Sequence, residues 1–111
     1  MTELTKPVKR KLRELVHKAH EGALRRELPA LIRHVESWQR GEIDSIGLCN
    51  HIHDFDRGPV LKIYKTFTYA NTQLLMEVGY GVASGLVDEQ SIPEEVRPQI
   101  AVAAAFYRGD F

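Results

Sequence analysis

From Val60 to Val82 the apolar residues return every third or fourth position, and this pattern constrains the chain more than any other. Val60, Ile63, Tyr64, Phe67, Ala70, Leu74, Leu75, Val78 and Val82 make one stripe on a rod of helical period. The spacing predicts a long central helix from about Pro59 to Ser84. Tyr69, Met76 and Tyr80 form a smaller apolar strip on its opposite side. A helix with two apolar faces is either wrapped by its own chain or meets a partner. Asn71 falls inside the main stripe, where an amide must find hydrogen-bond partners.

The other segments have the same period. Val8, Leu12, Leu15, Val16, Ala19 and Ala23 share an arc of roughly 100° on an amphipathic helix opened by Thr5 and Pro7. Leu24, Leu28, Leu31, Val35 and Trp38 continue the helical spacing on an arc rotated by about 130°. Pro29 lacks a backbone donor and crowds the carbonyl four residues before it, so a kink or break is expected between Gly22 and Pro29. Arg40-Gly41 ends this arm. Asp44 or Ser45 caps a short helix with Ile46, Cys49, Ile52 and Phe55 as its apolar positions, closed by Gly58-Pro59. Ser91 and Glu94 have the spacing of a capping box, with Pro93 in the first turn of a last helix over about 93–107. Gly79, Gly81 and Gly85 either weaken the end of the central helix or admit close backbone approach. No segment alternates with the period of a strand. The expected fold is all-α: one domain over residues 1–111, an irregular bundle of four or five helices.

Several function classes drop out on composition. The 111 residues include a single cysteine, Cys49, so no internal disulfide forms, and no secretion leader is evident at the N-terminus. A reducing, cytoplasmic setting is the expectation. The longest stretches without charge, residues 66–76 and 78–87, are too short for a bilayer, which takes about 20 apolar residues. Net charge is zero but unevenly spread, because residues 1–40 hold ten of the fifteen Lys and Arg and five of the fifteen Asp and Glu. Around the helical axis Lys9, Arg10, Lys11, Arg13, Lys18, Arg25, Arg26 and Arg33 scatter, and Glu14–Lys18, Glu21–Arg25 and Glu36–Arg40 are favourable i,i+4 pairs. A solvated helix surface accounts for this better than nucleic-acid binding.

Residues 51–59, His-Ile-His-Asp-Phe-Asp-Arg-Gly-Pro, are the densest group of chemically able side chains. His51 and His53 point about 160° apart on a helix and do not share an ion. Helical spacing instead puts Cys49, His53 and Asp56 on one side, a candidate ligand set for zinc, iron or manganese, with His51 and Asp54 on the other. Arg57 and Tyr64 could support such a site. Asp54 and Asp56 sit where the helix dipole prefers cations, so Asp56 is expected to turn toward the free amides at the start of the next helix. Glu14-x-x-His17 resembles half of a di-iron motif, but it is single and faces away from the apolar arc. His20 lies at the edge of that arc and His34 on a polar side. Neither a phosphate loop, a nucleophile elbow nor a CxxC pair is present, and Arg108-Gly109-Asp110 is a chance tripeptide.

Ile52, His53, Phe55, Gly58, Pro59 and Tyr64 together resemble a segment of small, uncharacterised all-helical bacterial proteins with an Ile-His-x-Phe, Gly-Pro and aromatic pattern. That resemblance implies a helical fold and a junction that matters, and no chemistry. The leading expectation is a non-enzymatic protein that self-associates or binds a protein partner through Tyr69, Met76 and Tyr80. The alternative is a metal-dependent or acid/base site at the junction around His53 and Asp56.

Overall fold

The computed structural model describes residues 4–109. The expected all-α class holds: among these residues there are five α-helices, α1 Lys6–Gln39, α2 Ser45–Phe55, α3 Leu61–Thr66, α4 Leu74–Ala83 and α5 Arg97–Arg108, with short 3₁₀ and π turns between them. No helix among the described residues is long and apolar enough to cross a membrane. The chain divides into two compact units, one of residues 1–22 with 67–111 and one of residues 23–66.

The first unit holds the core. Val8, Leu12, Leu15, Val16 and Ala19 of α1 are buried, as are Leu74, Val78 and Val82 of α4 and Ile100, Ala103 and Ala104 of α5. α4 and α5 approach closely because Gly79 has no side chain: a Cβ there would lie 2.5 Å from the Cβ of Ala103. Gly81 has the same use, its missing Cβ lying 2.7 Å from Val87 and 3.0 Å from Ala19. α5 starts at Arg97, four residues later than the capping-box reading places it. The Ser91 hydroxyl donates to the carbonyl of Asp88 instead of capping a helix, and residues 94–96 form a 3₁₀ turn.

In the second unit the later part of α1 and α2 form a helical hairpin, followed by α3. α1 ends at a left-handed Gly41, and Asp44 Oδ1 caps α2 by accepting from Gly47 N–H at 2.7 Å. Trp38 Nε1 donates to Ser45 Oγ at 3.0 Å across the turn. His34 of α1 stacks on His51 of α2, with ring centroids 3.6 Å apart and planes 9° from parallel. The covered positions of α2 are therefore Leu48, His51 and Phe55, at i, i+3 and i+7, while Ile46, Cys49 and Ile52 are exposed.

Three expectations are revised. α1 stays helical through Pro29, so the chain is not broken there. Pro29 and Arg25 are both exposed, so water can solvate the carbonyl that loses its donor. The apolar face changes between Ala23 and Leu24, next to the boundary between the units. Gly58-Pro59 does not end a helix: residues 56–60 form a π turn in which Leu61 N–H donates to the carbonyl of Asp56, five residues back, and the wider turn accommodates the proline ring. The long helix over 59–84 is divided, because Phe67–Ala70 leave the helix before a 3₁₀ turn at Asn71–Gln73 and α4.

Candidate functional site

The break at residues 67–70 is held by a residue outside the apolar stripe. Glu77 is 4% exposed, the only charged residue buried among those described. From α4 its carboxylate reaches back over the break: Thr68 Oγ1–H donates to Oε2 at 2.6 Å, Thr68 N–H to the same oxygen at 3.1 Å, and Tyr69 N–H to Oε1 at 3.1 Å. Two backbone donors freed by the end of α3 are thus satisfied by one side chain. Tyr69 takes a left-handed conformation, φ 61°, unique among the described residues other than glycine. Strained backbone of this kind persists where its surroundings over-determine it.

The Tyr69 hydroxyl lies 3.0 Å from Nδ1 of His20, and the His20 ring stacks on Phe67 at 5.5 Å. Burial pushes the Tyr69 phenol above its ordinary value, and the nearby charge of Glu77 pushes it the same way. Phe67 packs edge-on against Tyr80, and Tyr80 against Tyr107, at 5.6 and 5.3 Å. Two of the three strip residues, Tyr69 and Tyr80, are thus engaged by their own chain. Met76 is half-buried. Asn71 is exposed on the 3₁₀ turn and not inside an apolar stripe, and its Oδ1 accepts from the guanidinium of Arg13.

At the α2–α3 junction Cys49, His53, Asp54, Asp56, Arg57 and Tyr64 are all exposed, and His51 alone is partly covered, by its stack on His34. Since the helix runs on through the π turn, Asp56 has no helix start to face. Among the described residues no group of three or more His, Cys, Asp or Glu is placed to hold a metal ion.

Glu77 had a visible signal, being the lone charge between residues 66 and 87. A single charge in so long a neutral run is either at a surface or satisfied in a core. His20 gave only its place at the edge of the apolar arc. Comparison with protein-family models, with curated proteins and with solved structures finds no match to this chain.

Proposed function

We propose that the chain is a non-enzymatic association module of the cytoplasm, working by docking the hairpin of residues 23–66 against another helical surface, in the first place a second copy of itself. One observation carries this reading. No described residue of the hairpin is buried, yet it holds seven of the ten large apolar side chains that stand exposed: Leu28, Ile32, Trp38, Ile46, Ile52, Leu61 and Tyr64.

Two helices in contact cover only one side of each, and the apolar remainder is stabilised by a third and fourth helix, as when two hairpins pair into a four-helix bundle. Ile46 at 73% and Tyr64 at 71% exposure are the clearest cases. Trp and Tyr, here Trp38 and Tyr64, are among the side chains that dominate interface energies. The hairpin displaces Tyr69, Met76 and Tyr80 as the docking surface because two of those are already packed. Cys49, a free and exposed thiol, fits a reducing compartment.

Sedimentation velocity over a wide concentration range tests the proposal. The wild-type chain is expected to self-associate, and Ile32→Asp or Ile46→Asp to shift it toward monomer, since both positions are exposed and the monomer keeps its fold. A wild-type chain that stays monomeric at the highest concentrations overturns it.

A further inference from the structure

Lys6, Lys9, Arg10, Arg13 and His17 recur along α1 at i, i+3, i+4, i+7 and i+11 and line, with Glu14, an open groove of about 610 Å³ in the first unit. Over the whole of α1 the basic residues scatter, but in these first turns they form a row about 16 Å long at 1.5 Å per residue. Four other basic side chains are paired: Lys11 with Glu14, Arg40 with Glu36 and Glu42, Arg97 with Glu94, and Arg108 with Glu89. In the row, the side chains of Lys6, Lys9, Arg10 and His17 have no hydrogen-bond or ion-pair partner among the described residues, and Arg13 is aimed by its bond to Asn71. The first turn of α1 contains no acidic residue, and its Lys6 and Lys9 lie at the positive end of the helix dipole. Such mutual repulsion is relieved by an anion.

We infer that this groove binds the phosphate backbone of a single-stranded nucleic acid without reading its sequence. The cations recur along a line and do not converge on a point, which suits a chain of phosphates better than one compact anion. One row follows one strand. The apolar side of the same stretch, Val8, Leu12, Leu15, Val16 and Ala19, is buried in the core and has nothing to insert into a bilayer. An acidic protein segment would gain only the ~0–1 kcal/mol typical of each exposed ion pair, whereas a polyanion also gains the release of its condensed counterions.

The test is fluorescence anisotropy of the full chain with a labelled oligothymidylate of about 20 nucleotides at several salt concentrations, giving a micromolar Kd at low salt. Neutralising four phosphates on a single strand predicts a slope of log K against log salt of about −3. The variant Lys6→Ala, Lys9→Ala, Arg10→Ala, Arg13→Ala should lose at least about tenfold in affinity and most of that slope. Arg57→Ala, Lys62→Ala, Lys65→Ala, which empties a second basic groove of about 400 Å³ in the hairpin, should change affinity by less than about twofold. Should the fourfold variant unfold by circular dichroism, Lys9→Gln with Arg10→Gln keeps the aliphatic stems and is expected to show a proportionate loss. Absence of oligonucleotide binding at low salt, equal loss in the two groove variants, or binding confined to vesicles of anionic phospholipid would each overturn the inference.

Discussion

Glu77 accepts the backbone N–H of Tyr69 at 3.1 Å, and Tyr69 is the residue that the fold holds in a left-handed conformation. A bulky side chain there costs about 1–2 kcal/mol, which the carboxylate and the His20 bond must offset. Glu77→Ala would leave the N–H groups of Thr68 and Tyr69 without their acceptor, and hydrogen bonds to a charged group are typically worth about 1.5–3 kcal/mol. We expect a loss of about 2–3 kcal/mol in urea unfolding, with Glu77→Gln intermediate because one acceptor oxygen remains. Equal stability of Glu77→Ala and wild type would refute this role.

Tyr69 also makes alkaline stability a readout of the same cluster. Its phenol titrates above the ordinary value of 10.0, first because burial disfavours the phenolate and second because Glu77 repels it. A raised folded-state value favours the protonated form in the fold. The stabilisation is complete below the ordinary tyrosine range and is lost as pH rises through the folded-state value. Absorbance titration should show a phenol ionising above the ordinary value, and Tyr69→Phe should remove that step.

The approach of α4 to α5 predicts a sharp size limit at Gly79. Ala103 stands 2.5 Å from where a Cβ would go, and the backbone nitrogen of Ala104 at 3.0 Å, so neither flexible side chains nor solvent can give way. Gly79→Ala should destabilise by about 1–3 kcal/mol despite alanine's better helix propensity. At Gly58, where nothing lies within 4 Å, the same change should be neutral or mildly stabilising. Thermal unfolding of the two variants measures the contrast.

His34 and His51 tie α1 to α2 by stacking at 3.6 Å. Removing one ring with His51→Ala takes away that contact, so the hairpin should open more readily, seen as faster amide exchange in residues 45–55. His51→Phe keeps a stacked ring and should exchange much as the wild type does, whereas equal exchange in His51→Ala and wild type would exclude the stack as a tie between the helices.

Local sequence signals alone determined the class, the amphipathic first arm, a cap at Asp44 or Ser45 and the glycine stop at Gly41, because each depends on residues within a few positions of one another; the structure chose Asp44. Helical period also placed a change of apolar face between Gly22 and Pro29, and the chain passes from one compact unit to the other after Gly22. It misplaced the long helix, since the stripe from Val60 to Val82 has helical spacing whether or not the backbone stays helical at Phe67–Ala70. That break depends on Glu77 reaching nine residues back to Thr68, a contact that pays off only once α4 is packed. The candidate site moved for the same reason. Spacing correctly separated His51 from His53, but only the position of α1 decided that His51 is covered, that His53, Cys49 and Asp56 face solvent, and that Tyr69 meets His20. The basic row needed tertiary structure as well: a helical wheel of the whole arm averages it away, and it stands out once the core claims the other side of the first turns.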